Sequence, residues 1–520
     1  MKLHKTLFLS CFYSLSTLTA LAQQDSITVG TKIDGTDLKA LCYTFPQRVE
    51  TFSMSSKGDY LCISFRETGK SGKYLKNKGE IGFYDTVEKK LLWKKPINYM
   101  QSGATCLTEG VLLSNNADNK VSLLNRENGT QRWETSLFPI HIDDSLGMVL
   151  GYTHSRSNRL KAVGLKFGNE LWNNKIEHNY GWNQVLETEG SQRLIVADEL
   201  HKLDFVTGRM QTFPGSPGAH DTKAAILQGL VAVAGAAAGA AISGGTMYYG
   251  YVPTSPNTIT SLTSNVLPHQ SRYYWADRKQ ISCIDSTMNV VWQNKFADVK
   301  AACSRLFIEG DKLYMVSYGY GLRDGGSQKK YGRPFIACYN LEDGTEVFFN
   351  QLSTKKDIVE DVLRTEDALY MLFDDGMAYQ NLTDSVVNIA PWDIEQYGKL
   401  SGLLSQTLYI ANPERTAFQP LAFDGEHCLV YNQQGSVFEI DKELRISKTH
   451  SASDVYTQRL RLKDYLCVGN GKDFWFIHEI GMPVAHLKVP FKKGRVMGNK
   501  LLLLGMQNQL LFIDLDEAVN

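Results

Sequence analysis

The sequence predicts an all-β fold, a single large β-propeller built from four-stranded antiparallel blades, and three observations carry that reading. An apolar strand ending in Asp or Asn recurs, followed by a turn often holding Gly and an aromatic residue about eight positions on. Asp85 leads to Trp93, Asn125 to Trp133 through Asn128-Gly129, Gly164 to Trp172 past Gly168, Asp285 to Trp292, and Asn340 to Phe348 through Asp343-Gly344. Between these marks the chain alternates with period two, as in Tyr60-Leu61-Cys62-Ile63-Ser64-Phe65, so successive side chains face opposite sides of a sheet. Finally, 520 residues exceed an ordinary single core, whereas a repeat architecture grows by adding blades.

Each part of the unit has a physical reason. A strand-end Asp or Asn accepts hydrogen bonds from the turn backbone, and Gly supplies the positive φ that a tight hairpin needs. An aromatic ring on the next, outer strand buries roughly 150–250 Å². Trp93, Trp133, Trp172, Trp292 and Phe348 are therefore expected to peg one blade to the next.

Ten candidate units run over 49–97, 99–138, 139–177, 179–213, 260–297, 300–353, 357–392, 398–449, 455–489 and 491–517. The later ones are degenerate. His478 stands where the strand-end Asp would be and His486 where the aromatic would be, positions that repeat geometry explains without a metal. Some units could be half-blades, so seven to ten blades are expected. The last unit lacks an outer strand, and an N-terminal strand around 27–33 is expected to supply it and close the ring.

Residues 1–22 have the parts of a secretory signal peptide: Lys2 and Lys5, an apolar stretch, and a small-x-small end at Ala20-Leu21-Ala22. The chain then divides into a first propeller part (23–213), an insertion (214–258) and a second propeller part (259–520). The expected location is outside the cytoplasm: periplasmic, extracellular or envelope-associated. Loss of Lys2 and Lys5 leaves 53 of the 55 basic residues against 55 acidic ones. Such balance offers no general field for nucleic acid. The eight cysteines beyond residue 22 are scattered, without C-x-x-C or adjacent pairs, and are expected mostly as free, buried thiols.

The insertion centres on 224–242, an uncharged Ala- and Gly-rich run predicted to be helical, in which Gly235 and Gly239 form a small-xxx-small face. It suits docking on the propeller, self-association with a second subunit, contact with an envelope protein, or a hairpin dipping into a membrane. A disordered loop is the remaining alternative.

Motifs for phosphate, nicotinamide, zinc-protease and serine-hydrolase chemistry are absent. The acidic pairs in Glu342-Asp343-Gly344 and Asp374-Asp375-Gly376 suit turns, and His141-Ile142-Asp143-Asp144 forms a third small acidic cluster. Two basic loops, Lys70 to Lys78 and Gly319 to Lys330, read by default as solvated long loops; if function sits on propeller loops, these and the insertion are the places to look.

The segments ending Leu91-Leu92-Trp93, Asn128-Gly129-Thr130-Gln131-Arg132-Trp133 and Phe167-Gly168-Asn169-Glu170-Leu171-Trp172 resemble the PQQ-like repeat. That superfamily includes quinoprotein dehydrogenases and outer-membrane assembly propellers. The resemblance implies a propeller; in catalytic members it also implies pyrroloquinoline quinone and calcium, often beside a vicinal disulfide. This chain has no adjacent cysteines, and no ligand set can be matched to it. No cofactor, metal or catalytic residue is therefore expected. The preferred expectation is a non-catalytic exported scaffold for protein interaction in the bacterial envelope. The alternatives are a quinone-dependent dehydrogenase and a glycan-binding propeller using Tyr273, Tyr274, Trp275, Tyr318 and Tyr320.

Overall fold

A computed structural model describes residues 23–516 apart from 221–257 and short gaps at 46, 56–57, 89, 99–101, 116–117, 155, 297–299, 324–325, 354, 384, 463, 472, 498–499 and 506–507. The alternating stretches form antiparallel strands in successive four-stranded sheets. Nine of these blades follow the chain at 48–97, 102–136, 138–175, 184–213, 267–295, 304–351, 361–391, 400–450 and 455–487. Blade 10 takes Phe491–Met497, Lys500–Gly505 and Gln509–Asp514, and is completed by Asp37–Thr44. The degenerate units thus form whole blades.

Local chemistry sets the hairpins. Asp85 Oδ1 accepts from the backbone N–H groups of Val87 and Glu88 at 2.9 and 2.8 Å, and Asp204 Oδ1 accepts from Val206 and Thr207 at 2.9 Å each. Asn125 and Asn340 cap their turns in the same way.

The faces of the sheets are apolar and pack blade on blade. Cys62 and Phe83 of blade 1 meet Val111 and Leu124 of blade 2. Leu123 joins Val149, Leu150 joins Ile195, Leu194 joins Trp275, and Cys283 joins Leu313 in the next four interfaces. Tyr314 with Met371, and Tyr370 with Val430, continue the series to blade 8. Cys467 with Leu503 links blades 9 and 10, and Leu502 with Phe65 returns to blade 1. The series closes into a ring. The eight cysteines among the described residues are free, seven of them buried and Cys303 half-buried.

Ring closure differs from expectation. Asp37–Thr44, not a strand at 27–33, pairs with Gln509–Asp514, in the register Leu41 opposite Phe512. The preceding strand, Gln23–Lys32, lies between Asp37–Thr44 and the outer strand of blade 9, pairing Ile27 with Ala40 and Gly30 with Leu487. Buried Val29, Leu38 and Ala40 bind it into the core between blades 9 and 10. A single N-terminal hairpin therefore covers two outer edges that would otherwise stay open.

Blades 8 and 9 do not meet as the others do. The connection between the first two strands of blade 8 carries an extra hairpin, Leu408–Ala411 and Phe418–Leu421, whose first strand pairs with the inner strand of blade 9. Alternation splits its side chains: Leu408 and Ile410 pack on Leu429 and Val437 of blade 8. Tyr409, Ala411 and Phe418 pack on Tyr456, Leu466, Val468 and Ile477 of blade 9. The hairpin is a two-faced wedge. Arg415 near its tip donates to Tyr456 Oη at 2.9 Å and lies 3.4 Å from Asp473, which also accepts from Tyr456 and from the Trp475 indole. His486 pairs with this same carboxylate and stacks on Trp475, whereas His478 packs on Tyr465.

The repeat aromatics sit on outer strands and reach the following blade. The indole N–H of Trp93 donates to Arg126 O at 2.8 Å, that of Trp133 to Leu165 O at 2.7 Å, that of Trp172 to Phe205 O at 2.6 Å, and that of Trp292 to Leu341 O at 3.2 Å. Each indole lies on a glycine of the acceptor turn. A Cβ at Gly129, Gly168, Gly208 or Gly344 would come within 2.8, 2.6, 2.8 and 2.5 Å of the respective ring. Those glycines have φ of 69°, 71°, 73° and 75°, the left-handed region that disfavours any other residue. Phe348 packs into the cluster between blades 6 and 7. Nearby, Asn350 donates to Ser385 O at 2.7 Å.

A double-mutant cycle tests this coupling. Trp292→Ala is expected to cost about 3 kcal/mol, and Gly344→Ala to cost more than the ~1–2 kcal/mol of its backbone strain because the added methyl meets the indole. In the Trp292→Ala background the glycine substitution should lose the steric part. Urea unfolding of the four proteins measures this, and additive effects would reject the coupling.

A second expectation concerns acid. His141 in the inner strand of blade 3 and His201 in blade 4 are buried, and desolvation holds each imidazole down at about 4, below the ordinary 6.5. Below pH 6.5 the unfolded chain takes up protons that the folded chain refuses. Stability is therefore complete above about pH 6.5 and falls toward pH 4, by roughly 1.4 kcal/mol per pH unit for each histidine. Urea midpoints at pH 7, 6 and 5 should show the loss, and His201→Phe should flatten it.

Candidate functional site

Four antiparallel strands per blade place two kinds of connection on opposite faces of the ring. The turns joining the first to the second strand and the third to the fourth lie on one face, the lower. Those joining the second to the third, and each blade to the next, lie on the upper face. Lower turns are short apart from the wedge, while the long connections 176–183, 214–266, 318–334 and 352–360 all leave the upper face. A short helix, Ile394–Tyr397, lies in the upper connection between blades 7 and 8, with Asp393 as its N-cap. Among the described residues no helix is long and apolar enough to cross a membrane.

The insertion rises from a fixed base. Ala219–His220 pairs with Thr258–Ile259, bringing its two ends together. Buried Asp277 in blade 5 accepts from the N–H of Ser216 at 2.8 Å, and from Lys279 and Gln280 at 2.7 and 3.1 Å. Burial pushes this carboxyl above its usual range despite the three donors. Gly215 lies on Trp275 and Gly218 on Tyr180, both too closely for a side chain. Thr260 bridges to Leu322 in the upper hairpin of blade 6. The run 224–242 itself, with Gly235 and Gly239, lies outside the described residues, as does the signal segment 1–22.

That blade 6 hairpin, Tyr320–Leu322 paired with Gln328–Lys330, contains the second basic loop. Its charge is partly answered: Lys330 lies 3.6 Å from Asp357, which also faces Lys355 at 3.9 Å. Asp375 pairs with Lys355 and Asp374 with Lys399. On the lower side, Asp143 forms a buried pair with Arg193 at 3.0 Å. The acidic clusters noted in the sequence are thus turn caps or ion pairs.

The first basic loop overlooks a separate cleft at the ring seam, of about 380 Å³, lined by Gln47, Arg48, Arg66, Glu67, Thr68, Tyr74 and Asn508. The guanidinium carbons of Arg48 and Arg66 lie 4.6 and 5.2 Å from the centre of the Tyr74 ring. Mutual backbone and side-chain bonds between Phe45 and Asn508 hold the two sides of the seam together. Sequence reasoning located the loop but not this cleft, because Arg48, Arg66 and Asn508 come from separate strands and turns.

The predicted aromatics Trp93, Trp133, Trp172, Trp292 and Phe348 lie at blade interfaces. Tyr274 and Trp275, expected in a glycan-binding alternative, are each 1 % exposed. They are core residues and offer no ring to a sugar. Tyr318 and Tyr320 do stack on each other, half-buried, at 6.2 Å. A quinone-and-calcium funnel would need converging carboxylates. Among the described residues no group of three or more His, Cys, Asp or Glu side chains is placed to hold a metal ion.

No known family profile and no curated protein matches the chain. Solved structures resemble it. BamB from Moraxella catarrhalis is similar over 73 % of this chain and 96 % of its own, at 13 % identity and a TM-score of 0.32. The computationally designed Ika8 protein matches over the same shares, 73 % and 96 %, at 8 % identity and a TM-score of 0.32. KlHsv2 with loop 6CD replaced by a Gly-Ser linker matches over 78 % and 99 %, at 9 % identity and a TM-score of 0.26. Likeness at this level carries no functional argument; the propeller stands on the strand pairings and interblade clusters.

The base of the insertion can be tested directly. Asp277→Ala removes the acceptor of three backbone donors, and limited proteolysis should then cut near Ser216 several times faster while the blades stay protected. An unchanged rate would show that the glycine contacts suffice.

Proposed function

We propose that this chain is a non-catalytic, exported β-propeller that holds its upper-face loops, above all the insertion, toward another protein of the bacterial envelope. The observation that carries this reading is the rigid base: hydrogen bonds and close glycine contacts tie residues 215–220 and 258–264 to blades 4, 5 and 6. A segment that merely filled a loop would not need such fixing. Export is inferred from residues 1–22, and a PQQ-like ancestry of the blades from the Asp/Asn, Gly, Trp units. The Ala- and Gly-rich run 224–242 then serves as the docking element, for an envelope protein or a second copy, with membrane contact as a further mode.

The test is cross-linking in envelope fractions with the full chain and with a variant in which 221–257 is replaced by a short Gly linker, leaving the paired base intact. Loss of the cross-linked species is the expected outcome. An unchanged pattern would remove the insertion from this role.

A further inference from the structure

The upper ends of blades 5 and 6 gather cations that have no carboxylate bonded to them. Arg278 and Lys279 stand in the upper turn of blade 5, Lys295 ends its outer strand, Lys300 lies in the connection to blade 6, and Arg333 follows the blade 6 hairpin. Four contacts bring these segments to one rim. Gln280 pairs with Lys295, and the Phe296 N–H donates to Lys279 O at 2.8 Å. The Phe296 ring meets Phe335 edge-on at 5.9 Å, and a Cβ at Gly332 would come within 2.2 Å of Lys300 O. Lys279, Lys295, Lys300 and Arg333 are exposed; Arg278 is half-buried, and its Nε is buried without a hydrogen-bond partner. Among the described residues none of the five forms an ion pair. The acids on the same connections do not cancel them. Asp277 is buried under its three backbone donors, and Lys279 acts on it more weakly than those donors do. Asp357 faces Lys330 and Lys355, while Asp298 and Asp324 lie outside the described residues. With these two counted, segments 277–280, 295–303 and 318–334 carry eight basic residues against three acidic ones, in a chain balanced at 55 and 55.

Given the export and the upper-face orientation proposed above, on which this rests, we propose that the rim binds the headgroups of anionic phospholipids. Headgroup phosphates are mobile anions that dispersed cations attract without a matched cleft, and each Lys or Arg near such a surface adds to the affinity. The neighbouring sequence fits the same partner. Asp277 holds Ser216, at the start of the insertion, against the Arg278 turn, and the pairing of Ala219–His220 with Thr258–Ile259 keeps both ends of the insertion at this face. In the sequence between them, the uncharged run 224–242 is followed by Tyr248, Tyr249 and Tyr251, a residue type enriched where membrane meets water. An acidic protein matches less well. Its interface would favour guanidinium forks around an exposed aromatic anchor, whereas here one guanidinium is half-buried and the nearest rings, Phe296 and Phe335, pack on each other.

Sedimentation of the full chain with phosphatidylcholine vesicles, with and without phosphatidylglycerol, tests this. Binding should require phosphatidylglycerol and should weaken as salt screens the charges. Lys279→Ala and Lys300→Ala change only exposed side chains, and each should weaken binding about fivefold, as should Arg278→Ala. Should Arg278→Ala disturb folding, the two lysine variants still decide. Lys166→Ala, exposed on the lower face, should have no effect. Replacing 221–257 by the short Gly linker should weaken binding but leave its dependence on phosphatidylglycerol, Lys279 and Lys300 in place.

Equal binding to the two kinds of vesicle, an equal loss with Lys166→Ala, or binding unchanged by Lys279→Ala with Lys300→Ala would each overturn the lipid assignment. Binding of labelled hexaglutamate through these lysines, without vesicle binding, would give the rim to an acidic protein instead. Failure here while the insertion-dependent cross-links persist removes the lipid contact and leaves the scaffold standing. Absence of both removes both.

Discussion

Sheets arranged radially diverge as they run outward, so a ring of blades is tight at its centre and gapped at its rim. The contact that fills the rim is an indole pressed on a turn without a side chain. Trp93, Trp133, Trp172 and Trp292 each bring a large apolar ring and one N–H to the following blade, where a left-handed glycine leaves room for the ring and a carbonyl accepts the proton donor. The same glycine serves its own hairpin and its neighbour's tryptophan. Trp172 shows that the two halves need not occur in one unit: it rests on Gly208 of blade 4, whose own outer strand, Met210–Phe213, carries no tryptophan.

Where the indole is missing, other volume takes its place. Phe348 packs with Tyr314 between blades 6 and 7. Trp392, from the connection after blade 7, packs at a tilt against Tyr397 and edge-on to Phe438, and donates to Gly398 O at 2.8 Å. Between blades 8 and 9 a whole hairpin is inserted, with one face for each neighbour. The polar cluster around Asp473 fixes the tip of that hairpin, and its carboxyl is held below the usual range: burial opposes this, but donors from Trp475, Tyr456 and His486 outweigh it. The N-terminal hairpin then covers the outer edges of blades 9 and 10.

A ring closed in this way is a stiff platform, and its two faces differ. Short capped turns make the lower face regular, whereas the upper face carries the insertion base, the blade 6 hairpin and the seam cleft. The ion pairs of Lys330, Lys355 and Lys399 neutralise much of the charge beside blades 6 to 8. The proposed function accordingly falls on connections held in place by the blades.

The amino-acid sequence alone determined most of the strands and the capped turns, and bounded the blades at seven to ten, because these depend on neighbours a few residues apart: alternation in Tyr60–Thr68, Asp85 bonding the next turn, glycine at positive φ. It also marked the aromatics. Only the tertiary structure decided which turn each indole meets, that Asp37–Thr44 rather than 27–33 completes blade 10, that Tyr274 and Trp275 are core, and that Arg48, Arg66 and Asn508 line one cleft. Both N-terminal strands alternate well enough to serve as an edge, so local pattern could not choose between them. The choice follows from burial against blades encoded more than four hundred residues later, where Leu41 finds Phe512, and contacts at that separation leave no periodic trace in the chain.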